Sequence, residues 1–237
     1  MASGLTDVRV FPDADAVARA AAARIASLIA AKTAGGGSFF LALSGGRTPR
    51  ALYQCLAEDY HDRIPWARVN IFWSDERYVP YGDPRSNYRM AKETLLDRVP
   101  VPEQQVHPMP TEPADPDEAA RRYERALPQS FDLVLLGIGS DGHTASLFPG
   151  SPALDQSERW VVVSVAPVEP RVRLTLTLSV LNRADSVFFV VTGADKTAAL
   201  RRIVKDSPDY HLCPAVGVRP RGGTVIWWVD AAAALAL

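Results

Sequence analysis

Three runs in this chain are too continuously apolar for a sheet with one wet face. FDLVLLG at 131–137, WVVVSVA at 160–166 and SVFFVVTG at 186–193 show almost no polar alternation, as strands buried on both sides require. Strand-like and helix-like segments alternate along the chain, the order that winds a mostly parallel sheet and defines the α/β class. The three runs are expected at the centre of that sheet.

The other elements follow the same rhythm. VRVF precedes a helix predicted over Asp13 to Lys32 and stopped at Gly35-Gly36-Gly37. SFFLALS precedes a helix predicted to start near Pro49, with Thr48 as N-cap and Leu52, Cys55 and Leu56 facing inward. VNIFW at 69–73 leads into a polar loop, Ser74 to Pro84, and a helix from about Ser86 to Asp97. Residues 99–116 hold six prolines, the mark of an irregular crossing, before the charged helix DEAARRYERAL. A helix from Gly193 through Ile203 and Val204 and a last strand, TVIWWVD, complete the series. A length of 237 residues fits one domain over 1–237 better than two.

Charge narrows the choice of partners. Lys+Arg 26 against Asp+Glu 27 leaves no overall basic surface for a nucleic acid or an anionic membrane. The opening MASGLTDVRVF lacks the charged and apolar regions of a secretory leader, and Arg19 and Arg24 interrupt the apolar stretch Ala14–Ala31. A cytoplasmic protein is expected. Cys55 and Cys213 are too few for a disulfide framework, and His61, His107 and His211 lack the spacing of a helical metal site. No metal is required.

Every polar motif lies where a strand ends, and open α/β sheets bind ligands beyond the carboxyl ends of their strands. Ser44-Gly45-Gly46-Arg47 joins a buried strand to a helix start, where free N–H groups and the helix dipole favour a phosphate monoester. Without GxxxxGK[ST], no nucleoside triphosphate is implied. Gly137 to Pro149 satisfies GxGxxG, but Pro149-Gly150 interrupts the long helix that a dinucleotide site needs. Instead the loop offers His143 beside Asp141, and imidazole can take a proton from water near neutral pH. Asp141 could orient that ring or bind a sugar hydroxyl. Asp75-Glu76-Arg77 could bind hydroxyls and phosphate. Lys196, one of four lysines, opposes the dipole of a helix start, which suits a bound anion, as do Arg171 and Arg173.

Taken in order, LALSGGRTP, IFWSDERYVPYGDPRSNYRMAKETLL, LLGIGSDGHTASLFP, RLTLTLSVLNRAD and VTGADK resemble the 6-phosphogluconolactonases over residues 39–205. CPAVGVRPRGGTVIWWVDAAAA is similar to that family's ending. The resemblance implies a Rossmann-like, mostly parallel sheet with helices on both faces, as in the glucosamine-6-phosphate deaminases. It also implies hydrolysis of a small-molecule sugar-phosphate lactone in the oxidative pentose phosphate pathway, with no cofactor, nucleic acid, membrane or obligate protein partner. By position it places the general base on His143, the neighbouring aspartate on Asp141, the phosphate loop on Ser44, Gly45 and Gly46, and the lysine on Lys196. The DER segment falls on Asp75, Glu76 and Arg77. The phosphate-binding arginine, which precedes a TLT-like run, falls on Arg173, with Arg171 two residues away. Related deaminases place a carboxylate a few residues after the histidine; Thr144 to Pro149 contains no acid, which points to hydrolysis.

Overall fold

The computed structural model describes residues 7–206 and 208–237; the opening residues 1–6, read above for a leader, lie outside them. The chain begins with β1 (Val8–Phe11), α1 (Ala14–Thr33), β2 (Phe39–Leu43) and α2 (Arg47–Asp59). Next come β3 (Val69–Trp73), β4 (Asp75–Arg77), α3 (Asn87–Thr94) and α4 (Pro116–Ala126). The second half holds β5 (Leu133–Leu136), β6 (Val161–Val165), β7 (Val172–Leu176), α5 (Leu178–Leu181), β8 (Ser186–Val191), α6 (Thr197–Arg201) and β9 (Thr224–Asp230).

Six strands form one parallel sheet in the order β1-β9-β8-β5-β2-β3. All four residues of β5 are fully buried, as expected of a strand covered on both faces. Phe72 and Trp73 show what covers them. Consecutive strand residues point to opposite faces; Phe72 meets Tyr123 of α4, and Trp73 meets Tyr88 of α3. Helix α3 packs on α2 and α2 on α1, so helices lie on both sides. Leaving β2 the chain steps outward to β3, then returns across β2 to β5 and continues to β8 and β9. The winding therefore reverses between β2 and β5, which opens a crevice at their carboxyl ends. Among the described residues no helix is long and apolar enough to cross a membrane.

Several elements depart from the sequence reading. WVVVSVA does not join the central sheet: as β6 it pairs antiparallel with β7 in a second sheet ordered β4-β7-β6, and its Val165 is 57% exposed. A short apolar run fixes a strand, not the sheet it enters. The supposed loop after Ser74 contains β4, whose partner β7 lies far along the chain. Helix α2 starts at Arg47 with Gly46 as its cap, and no side chain caps it. The Thr48 hydroxyl instead meets that of Thr192 at 2.7 Å. Residues 194–206 form a 3-10 turn, the short α6 and a π-helical turn rather than one helix.

The loop after β2 is tied to α2 from below. Tyr53 Oη donates to the Ser44 carbonyl at 2.7 Å, and the Ser44 N–H donates back to Tyr53 Oη at 2.9 Å. Burial drives the ionisation of this phenol far upward, so it stays neutral. Tyr53→Phe leaves both backbone groups of Ser44 without a buried partner. It should cost about 1–3 kcal/mol, measured as a lower denaturant midpoint with an unchanged slope; an unchanged midpoint would show that the tie is idle.

Candidate active site

The loops after β2 and β5, strands β4 and β7 and the start of α3 converge on the crevice. A cleft of about 270 Å³ is lined by Ser44 and Gly45 after β2, Asp75 and Arg77 of β4, Asn87 of α3, Arg173 of β7, and His143, Ser146 and Phe148 after β5. An adjoining lobe of about 410 Å³ shares Gly45, Gly137 and Ile138 with it. That lobe is lined by Gly46, Arg47, Thr48, Asp195 and Lys196. Of the residues singled out from sequence, Ser44, Asp75, Arg77, His143 and Arg173 line the cleft, Gly46 and Lys196 the lobe and Gly45 both, whereas Asp141, Glu76 and Arg171 line neither.

The His143 loop is tight because its backbone bonds to itself. The Gly139 N–H donates to the His143 carbonyl at 2.8 Å, and Thr144 Oγ1 donates to the Gly137 carbonyl at 2.9 Å. Gly142 has φ +89°, and a Cβ at Gly139 would lie 2.1 Å from His143 Nδ1. Only glycine lets the imidazole fold back over its own loop. His143 Nδ1 lies 2.6 Å from Asp141 Oδ1, which also accepts the His143 backbone N–H at 3.1 Å. Burial pushes the Asp141 carboxyl upward, but the His143 N–H bonds and charge outweigh it and hold the group below its ordinary value. An ionised Asp141 only accepts, so in the neutral imidazole the proton sits on Nδ1 and the lone pair on Nε2. The Phe148 ring covers the imidazole at 4.6 Å.

Arg77 and Arg173 lie directly opposite each other across the antiparallel β4–β7 pair. Like charges in that relation repel. Arg173 is 7% exposed, and burial, then Arg77, lower its affinity for its proton. Arg173 Nε, Arg77 Nε and Ser44 Oγ are buried without a hydrogen-bond partner among the described residues. Arg171, the alternative to Arg173, is exposed and does not line the cleft.

Asp75 and Glu76 play different parts. Asp75 lines the cleft and accepts from Ser146 Oγ at 2.7 Å. Glu76, read from sequence as a possible hydroxyl ligand, turns away from the cleft. It accepts from the backbone N–H groups of Arg77 and Asn87 at 2.7 and 2.8 Å, from that of Tyr88 at 2.7 Å and from Ser86 Oγ at 3.1 Å. Its position beneath the first turn of α3 follows from the alternation of strand side chains. Burial pushes its carboxyl up to about 7, against the pull of those N–H groups. Lys196 sits in the adjoining lobe with Nζ 3.2 Å from Asp195 Oδ2, so a neighbouring carboxylate already offsets the charge that looked anomalous in sequence. Asn87, Ser146 and Phe148 were not singled out from sequence as site residues; an isolated amide, hydroxyl or ring carries no local signal of its role.

Fold and cleft together define an α/β protein with a switch-point crevice, a free imidazole and a cradle of unmet donors suited to an anion. The family model described as glucosamine-6-phosphate isomerases/6-phosphogluconolactonase matches residues 12–227. A protein named 6-phosphogluconolactonase from Synechocystis sp. is 45% identical over 80% of this chain and 81% of its own length. One from Mycobacterium tuberculosis is 37% identical over 98% of both. Among solved structures, the 6-phosphogluconolactonase of Trypanosoma brucei superposes with a TM-score of 0.86 at 30% identity, covering 99% of this chain and 100% of that one. The chain belongs to the glucosamine-6-phosphate isomerase/6-phosphogluconolactonase family. A monomeric glucosamine-6-phosphate deaminase, 19% identical with a TM-score of 0.82, shares the fold.

Glu76 makes stability depend on pH with a definite sign. Its carboxyl titrates near 7 when folded against an ordinary 4.5, so the folded state holds the proton more tightly. That contribution is complete below the ordinary value and is lost as pH rises through the folded one. The free energy of denaturant unfolding of the native protein should fall as pH rises across this interval, and Glu76→Gln should flatten that slope; an unchanged slope in Glu76→Gln would place its origin elsewhere.

Proposed function

We propose that the chain hydrolyses 6-phospho-D-glucono-1,5-lactone to 6-phospho-D-gluconate, the second step of the oxidative pentose phosphate pathway, with His143 as general base. The observation that carries this reading is the cluster of buried, unmet donors on Ser44, Arg77 and Arg173 in one cleft with the carboxylate-oriented imidazole. An anion that satisfies the donors relieves the repulsion between the arginines. The names of the relatives give the anion its chemical identity as a phosphosugar lactone.

The 6-phosphate lies against Ser44, Gly45 and Gly46, at the uncapped start of α2. Arg173 and Arg77 reach it from the β4–β7 pair, and the Lys196 ammonium, shared with Asp195, faces it from the adjoining lobe. Asp75 contacts a sugar hydroxyl. A water held by His143 Nε2 attacks C1 and gives its proton to the imidazole, whose cation Asp141 stabilises. Collapse of the tetrahedral intermediate breaks the bond from C1 to the ring oxygen, and the imidazolium returns the proton to that oxygen. The sum is one water added and one ester bond opened. Phe148, packed on the imidazole, stands in the stretch that holds no acid.

The described residues 7–206 and 208–237 are read as one such domain, on the continuity of the hydrophobic core through both sheets. The free thiols Cys55 and Cys213 fit a reducing compartment such as the cytoplasm. The native protein should speed acid release from freshly made lactone above the spontaneous rate and release no ammonia from glucosamine 6-phosphate. Ammonia release without lactone hydrolysis would favour the isomerase and deaminase branch. Arg173→Ala should raise KM by about 10- to 100-fold, in line with the loss of one charge-assisted contact; an unchanged KM would remove Arg173 from the phosphate site.

A further inference from the structure

Asp75 is the point where three parts of the cleft meet. Its Oδ2 accepts from Ser146 Oγ at 2.7 Å, and Ser146 lies on the loop that carries His143. From the other side Asn87 Nδ2 donates to the Asp75 carbonyl at 2.9 Å and to its Oδ1 at 3.3 Å. The same carboxamide packs against the anion loop: a Cβ at Gly45 would lie 1.8 Å from Asn87 Oδ1. Asp75, Asn87 and Ser146 are all buried.

The Asn87 amide turns its Nδ2 donor onto Asp75, to both the carbonyl and the carboxylate, rather than toward the open cleft. Nor can the amide swing aside freely. Its backbone N–H and that of Tyr88 are held by the sealed carboxylate of Glu76, which fixes the first turn of α3. A side chain that lines the cleft, has its donor turned onto Asp75 and is locked in place serves to hold its neighbours.

We propose that Asn87 and Ser146 are positioning residues for the reaction, acting through Asp75 as a clasp that fixes the His143 loop against the Ser44–Gly46 loop. This rests on the lactonase reading above, in which one loop holds the phosphate and the other holds the base. The clasp sets the span between them, and a misplacement of about 1 Å can cost on the order of 100-fold in rate.

Asn87→Asp tests the clasp with little change of shape. It sets a second carboxylate against Asp75, and two carboxylates in hydrogen-bond reach share one proton. When that proton leaves, they repel; while it stays, its O–H replaces the amide donor. The charged and titratable groups around the pair are Arg77, Arg173, Glu76, His143 and the Tyr53 phenol. The variant keeps them all, so the ratio of variant to native rate at each pH isolates the pair.

In Asn87→Asp, kcat should fall roughly 10- to 100-fold at alkaline pH with a smaller change in KM, and the deficit should shrink as pH falls. Ser146→Ala should lower kcat about tenfold at every pH. Native kcat in both folded variants, or a deficit in Asn87→Asp that ignores pH, would overturn the clasp. Should the native protein leave the lactone untouched, the functional reading fails. The clasp is then judged by the His143 imidazole NMR resonances, which must shift in both variants and would refute it by staying fixed.

Discussion

Two guanidinium groups set side by side with too few partners govern this cleft. Arg77 and Arg173 are in register on adjacent antiparallel strands, and the buried Nε of each lacks a protein acceptor. Burial costs an unpaired charge far more than an exposed one, so two guanidiniums in register weigh against each other. Asp75 and Glu76 favour the Arg173 charge from nearby, and Arg77 Nη1 donates to the Arg85 carbonyl, but the two carboxylates are engaged elsewhere. Glu76, the nearest carboxylate in sequence, spends itself on the start of α3, and Asp75 is occupied by Ser146 and Asn87.

The rest of the fold places the two arginines in one cleft with the His143 imidazole. Reversal of the winding between β2 and β5 opens the crevice, and the small β4-β7-β6 sheet brings the arginines to its rim. The loop after β2 contributes backbone N–H groups at an uncapped helix start; the loop after β5 contributes the imidazole, folded back through Gly139 onto Asp141. Neither sheet alone brings Arg77 and Arg173 into one cleft with His143. Burial of β5 and β8 on both faces makes the platform rigid enough for the spacing to matter.

Much of this was legible in the chain because buried parallel strands write themselves as continuous apolar runs. The strands that became β5, β8 and β9 were readable for that reason, as were the loops at their ends. What escaped depends on pairing. WVVVSVA has the composition of a central strand yet lies in the second sheet, because only its antiparallel partner decides that. The three residues of β4 read as a polar turn, since their partner is nearly a hundred residues away. The same pairing separates Arg173 from Arg171, a choice that spacing could not make. Lys196, grouped in sequence with the phosphate ligands, lines the neighbouring lobe beside Asp195. Asn87 and Ser146 gain meaning only from what they touch.

The most direct measurement compares the initial rate of acid release from freshly prepared 6-phosphogluconolactone for the native protein and for folded His143→Gln, each corrected for spontaneous opening. Glutamine keeps most of the size of the ring but has no basic nitrogen. The rate should fall to near the spontaneous level with KM little changed; a variant that keeps the native kcat would show that water is activated by some other group.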